Sequence, residues 1–258
     1  MTEPRHEPPN PGPGRELLDS GKERVESRIE AGRERIGRIE DKLENKLEEL
    51  KPRLRGWLHF GTFPLAVLLG AILVILAPDE RTRISTTIFA VTASMLFGVS
   101  ALYHRRNWSP RAGAVLKRLD HANIFLIIAG TYTPFSVLLL PDGPARTLLW
   151  IVWTGALLGV AFRVLWIGAP RWLYVPVYIA LGWVAVVYVP DLLRGGGLAV
   201  FALVVAGGLL YTMGGVVYGL KKPNPSPRWF GFHEVFHAFT VLAFLAHYTG
   251  ISLAAYSS

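Results

Sequence analysis

The chain has no cysteine among its 258 residues. That excludes a disulfide framework, a thiolate nucleophile and a cysteine-ligated zinc or iron–sulfur site. It is also short of charge: 18% of residues are Asp, Glu, Lys or Arg, against about 25% in an ordinary soluble domain. The shortage is local. Residues 1–55 carry 13 basic and 13 acidic side chains, whereas residues 56–258 carry 14 basic and only 6 acidic ones. A 203-residue stretch so poor in charge cannot cover itself with a wetted surface. No glycine-rich phosphate loop ending in Lys-Ser or Lys-Thr is present. No lysine lies in the last apolar run, so a retinal Schiff base is excluded there. The first apolar run begins near Trp57, too late for the apolar core of a secretory signal, and the segment before it is too acidic for a transit peptide.

What is there begins with a Pro- and Gly-rich tail at 1–14, expected to be disordered. Over 15–55 the pattern turns helical. Ile29, Ile36, Leu43 and Leu50 recur every seven residues among Glu, Arg and Lys. This reads as an amphipathic helix ending near Pro52. It suits a short coiled coil, self-association, partner binding, a membrane surface or plain solvation.

Residues 56–258 form the main domain. Seven apolar runs follow at about 57–77, 84–104, 119–140, 146–167, 172–192, 198–219 and 231–256. Each is near the 20 residues that cross a hydrocarbon core as a helix, and none alternates as a barrel strand would. The expected fold is an all-α membrane protein, a seven-transmembrane helix bundle. Ten basic residues group with the loops after the second, fourth and sixth runs, Arg163 among them at the end of its own span, while charges on the other side cancel. By the positive-inside rule the N-terminus is cytoplasmic and the C-terminus outside, in a multi-pass protein of the plasma membrane. The basic excess therefore serves orientation in the lipid bilayer and calls for no nucleic acid.

Ionisable residues inside a membrane need a reason. His59, His104, Asp120, His121, His233 and His237 all fall at the same predicted end of their runs. His233 and His237 are four apart and share a helical face, as do Ser100 and His104. Three imidazoles are a sound ligand set for tetrahedral zinc with one position left for water, and such a water ionises near neutral pH. Asp120 is placed as a further ligand or as the group that holds that water, and Ser100 as a donor to a developing oxyanion. A lone H-x-x-x-H pair is weak evidence, and a loop ion pair for Asp120 or interfacial roles for the histidines are the bland alternatives. His121 should point away from Asp120, toward a supporting position or lipid. His59 is placed beside the site or at the interface. His247, ten residues beyond His237 and so about 15 Å away, should make a structural hydrogen bond. Glu234 is expected at head-group level. Gly207-Gly208 and Gly214-Gly215 are read as close-packing positions.

Five segments carry a resemblance: SALYH at 100–104, LDHANIFLIIAGTYTPF at 119–135, LGWVAV at 181–186, GGLLYTMGGVVYGLKKPNP at 207–225 and FHEVFHAF at 232–239. Together they resemble the hemolysin III family, bacterial relatives of the progestin and adipoQ receptors, over nearly everything from His59 to His247. The resemblance implies seven membrane helices with a cytoplasmic N-terminus. It implies zinc ligation by His104, His233 and His237, with Asp120 near the ion and Ser100 beside it. The wider superfamily includes alkaline ceramidases, so the resemblance implies zinc-dependent hydrolysis of a lipid amide or ester. A pore-forming, cytolytic activity and a receptor-like homeostasis role with structural zinc stand as alternatives. The charged N-terminal segment departs from the family pattern.

Overall fold

The computed structural model describes residues 25–30, 32, 52–166 and 168–256. The chain divides into two units, residues 1–51 and 52–258. In the first, residues 25–30 are helical and exposed. The tail expected at 1–14 and most of the helix expected at 15–55 lie outside the described residues.

The second unit is helical apart from an isolated bridge between Ser226 and Phe230 among its described residues. Its elements are α1 (Trp57–Ile75), α2 (Glu80–Arg105), α3 (Pro110–Leu139), α4 (Asp142–Leu165), α5 (Arg171–Gly182), a 3-10 segment (Val184–Tyr188), α6 (Val189–Leu220) and α7 (Phe232–Tyr256). Local chemistry sets several starts. The Asp79 carboxylate accepts the Thr82 N–H at 2.9 Å and its hydroxyl at 2.8 Å, which caps α2. Ser109 caps α3 and Pro110 occupies its first turn, where a missing N–H costs nothing. That cap starts α3 nine residues before the apolar run expected at 119, because helical signals precede the lipid-compatible ones. Asp120 and His121 therefore lie well inside a helix and do not open one.

Six stretches among the described residues are long and apolar enough to cross a membrane. Their outer surfaces are apolar too: Trp150, Leu165, Trp172 and Leu198 are 75–84% exposed. Water would not tolerate so much exposed apolar surface, whereas lipid does. The protein is thus a multi-pass helical membrane protein. One of the six stretches, Arg171–Leu220, is 50 residues long and contains α5, the 3-10 segment and α6. It is interrupted at Gly197, whose φ of 66° and ψ of −178° no helix contains and few side chains allow. Val175 in α5 packs against Gly215 and Gly219 near the end of α6, and Trp183 Nε1 donates to Thr212 Oγ1 at 2.9 Å. The chain therefore doubles back within this stretch.

Consecutive helices pack side by side, and α7 returns to meet α1, α2 and α3. The most enclosed helix is α3. Phe89, Phe97, Leu148, Phe244 and Ile251 fill the core at or below 1% exposure. Lipid is as apolar as these side chains, so close van der Waals fit holds them and not release of water.

Candidate metal centre

Three helix ends bring the site together. Gly56 caps α1 with φ of 78°, and a Cβ there would stand 2.8 Å from the His104 Cβ. Only glycine lets the chain enter α1 so close to the last turn of α2. His104 lies in that last turn, and His233 and His237 lie on the first two turns of α7. The approach to α7 is fixed by residues 53–55. Arg53 N–H donates to Arg228 C=O at 3.0 Å and Leu54 N–H to Trp229 C=O at 3.2 Å. Arg55 Nε donates to Glu234 Oε1 at 3.0 Å, while Glu234 Oε2 accepts the Gly231 N–H at 2.8 Å.

One ring nitrogen from each of His104, His233 and His237 lies within 4.8 Å of the others. His104 Nε2 and His233 Nε2 are 3.2 Å apart. A tetrahedral ion with bonds of about 2.0–2.1 Å to nitrogen separates its ligands by about 3.3 Å, so this spacing fits ligands to one ion. His237 is 2% exposed and its Nδ1 has no hydrogen-bond partner. A buried polar atom without a partner is costly. The donor set of two buried imidazoles and one half-buried one thus fits a divalent metal ion.

Asp120 Oδ2 stands 3.6 Å from His104 Nε2, too far for a direct hydrogen bond. Ser100 is 2% exposed, lies within reach of the Asp120 carboxylate and lines the same cavity. Asp120 makes no loop pair with its basic neighbour at 118: Arg118 donates to the Val164 and Ala114 carbonyls.

The structure sorts the remaining candidates. His59 is 2% exposed and stacks on His237 at 3.7 Å between ring centres and 11° between planes. It supports the cluster and is not at the interface. His121 is buried as well; its Nδ1 lies 2.7 Å from Lys117 C=O and its Nε2 3.4 Å from the Tyr218 hydroxyl. It is not lipid-facing. His247 Nε2 bonds Val204 C=O at 3.2 Å, as expected of a structural contact. Glu234, expected at head-group level, is 1% exposed and paired with Arg55. Counting charges near span ends cannot see a partner that arrives from across the fold.

Sequence reasoning also passed over groups that the structure places beside the site. Arg163, counted there as a loop cation, is 1% exposed with its guanidinium 4.2 Å from the centre of the Tyr174 ring. Tyr174 and Tyr218 hydroxyls lie 3.4 Å apart and link on to His121. Only Arg163 left a signal, an arginine inside the apolar run expected at 146–167. The tyrosines lie within apolar runs and left none.

The histidine cluster caps a cavity of about 120 Å³ that runs into the bundle between α3, α5, α6 and α7. Its wall beyond the cluster is largely apolar, with Ile124, Ile127, Ile128 and Ile179 along it.

A helical membrane protein whose interior joins a three-imidazole cluster to an apolar cavity is the class these features define. The sequence model of the family described as Haemolysin-III related matches residues 47–248. The chain belongs to that family. It is similar to the Hemolysin-3 homolog of Bacillus subtilis (strain 168), with 35% identity over 150 residues, 58% of this chain and 70% of that protein. It is similar to Hemolysin-3 of Bacillus cereus, with 34% identity over 157 residues and the same coverage. A more distant similarity, 24% identity over 190 residues, joins it to the human Monocyte to macrophage differentiation factor, covering 72% of this chain and 76% of that one.

Proposed function

We propose that the protein is a zinc-dependent intramembrane hydrolase that cleaves a lipid amide or ester. The observation that carries this reading is the convergence of His104, His233 and His237 beside Asp120 and Ser100, at the head of an apolar cavity. In it the three imidazoles hold the ion, and zinc supplies a Lewis acid that polarises water and carbonyl alike. Asp120 takes a proton from the attacking water as its oxygen adds to the carbonyl carbon. The Ser100 hydroxyl donates to the carbonyl oxygen as negative charge gathers there. The C–N or C–O bond then breaks, and the proton held by Asp120 passes to the departing amine or alkoxide. The isoleucine-lined wall takes the aliphatic chain and keeps water from it.

In this reading the bundle crosses the plasma membrane seven times with the histidine end at the cytoplasmic leaflet. A 50-residue helical stretch would run about 75 Å, more than twice a hydrocarbon core of about 30 Å. Its reversal at Gly197 supports two antiparallel crossings. The basic residues grouped at the histidine end support the orientation.

The test is turnover by purified protein of a panel of ceramides, acyl esters and phospholipids, with zinc present and removed, in wild type, His237→Ala and Asp120→Asn. Zinc-dependent fatty-acid release lost in both variants is expected. Zinc removal that lowers thermal stability while no lipid is ever cleaved would replace this reading with a receptor-like sensor. The name of these relatives, Hemolysin-3, points instead to a pore. A cavity of about 120 Å³ with a mostly apolar wall is a poor conduit for ions, so liposomes carrying the protein should retain dye.

A further inference from the structure

Buried threonines in these helices follow one habit. Thr62, Thr86, Thr92, Thr133 and Thr240 each return the hydroxyl to the carbonyl four residues earlier, at 2.8–3.0 Å. That is the usual way to satisfy a hydroxyl away from water. Thr131 does not. It is 6% exposed, lines the cavity, and its Oγ1 has no partner. A second orphan belongs to His247, 7% exposed and on the same wall. Its Nε2 faces the Val204 carbonyl at 3.2 Å. A carbonyl only accepts, so Nε2 carries the proton and Nδ1 is left as a bare acceptor. That Nδ1 has no partner.

The two orphans lie at one depth. Thr131 is eleven residues beyond Asp120 on α3, and His247 ten beyond His237 on α7. At 1.5 Å per residue both stand about 15–17 Å along their helices from the histidine cluster. The helices run the same way, since Asp120 approaches His104 at one end and Phe135, one turn past Thr131, packs on His247 at 5.8 Å between ring centres. Space has been kept for the imidazole: a Cβ on Gly207 would fall 2.2 Å from His247 Nε2. Between cluster and orphans the wall carries Ile124, Ile127 and Ile128, and the Thr240 hydroxyl there is already met by the Phe236 carbonyl at 3.0 Å.

We infer that Thr131 and His247 form a second polar station in the cavity, which binds a hydroxyl carried on the aliphatic chain of the ligand about 15 Å from its metal-end head group. A hydroxyl on the chain meets both needs, as a water would, donating to His247 Nδ1 and accepting from Thr131 Oγ1. A carbonyl could not donate, and a bare methylene chain would leave both atoms unmet. The substrate class is thus a hydroxylated long-chain amphiphile. The class rests on the hydrolase reading above, but the station is measured by binding alone.

The experiment uses full-length protein in nanodiscs. It compares binding of stearic acid with that of hydroxystearic acids whose hydroxyl is moved along the chain. One position near 15 Å from the carboxylate should bind about tenfold tighter than stearic acid, the gain from one well-met polar group. Thr131→Val and Gly207→Ala should abolish that preference while stearic acid binds as before. Thr131→Val should leave the melting temperature unchanged, because its hydroxyl supports nothing. Thr133→Val, which also strands the Trp153 indole N–H now bonded to it at 3.1 Å, should lower it by about 2–5 °C. Equal binding of all the acids, or a preference that survives Thr131→Val, overturns the station and leaves water as its occupant. So does a loss of stability in Thr131→Val as large as in Thr133→Val. Hydroxyl preference without turnover of any lipid sinks the hydrolase and keeps the station. Turnover indifferent to the hydroxyl does the reverse.

Discussion

Removing one imidazole should uncouple stability from metal. His104, His233 and His237 come from two helices that are 129 residues apart in sequence at the His104–His233 contact. An ion held by all three binds the folded protein and not the unfolded chain, so it stabilises by mass action. With free zinc at a hundred times its dissociation constant the gain is about 2.7 kcal/mol. For a unit of this size each kcal/mol moves the melting temperature by about 2–4 °C. Zinc should therefore raise the wild-type midpoint by about 5–10 °C over chelator-treated protein. In His233→Ala two imidazoles remain, affinity falls, and the same zinc concentration should move the midpoint by less than about 2 °C. The assay is thermal unfolding in detergent followed by intrinsic tryptophan fluorescence, at stepped free zinc. Equal zinc-induced shifts in wild type and His233→Ala would refute the reasoning, because the ion would then be bound elsewhere.

Gly56→Ala forces a left-handed backbone on a residue with a Cβ and drives that Cβ toward His104. A cost of about 1–2 kcal/mol and weaker zinc binding are expected, read by unfolding and by metal titration. Glu234→Gln keeps an acceptor for the Gly231 N–H but leaves Arg55 without its counter-charge. Arg55 is itself 17% exposed and can reach water, so the loss should be about 1–3 kcal/mol, below the full cost of breaking a buried pair. The Thr82 N–H and hydroxyl hold the Asp79 carboxyl below its ordinary value. Its contribution is present above the ordinary carboxylate range near about pH 4 and is lost as pH falls through the lowered value. Asp79→Ala should remove the part of the acid-side loss of stability due to this cap, measured by unfolding midpoints across that range.

The helical, lipid-facing character was legible because hydropathy is local: a run such as the one in α4 needs no partner to be read. The His233–His237 pair was legible because helical spacing alone puts both rings on one face. Counting along each run also placed His104 and Asp120 at a common depth with that pair. Depth is only one coordinate. Rotation of each helix about its axis and the choice of neighbours follow from packing, and these turned His59 onto His237, brought Arg55 to Glu234 and buried Arg163 under Tyr174. The stretch from Arg171 to Leu220 reads as two apolar runs, yet in the structure a 3-10 segment and Gly197 shape the reversal, at places where proline and glycine weaken the helix.

By itself, then, the sequence determined what each segment dissolves in and how far along its helix each polar group sits, since both depend on neighbours in the chain. The tertiary structure alone decided which of those polar groups meet and which are left unmet. That is a matter of ångström-scale contact between helices more than a hundred residues apart, and it separates the imidazoles that share a centre from the threonine and the histidine that wait for a partner.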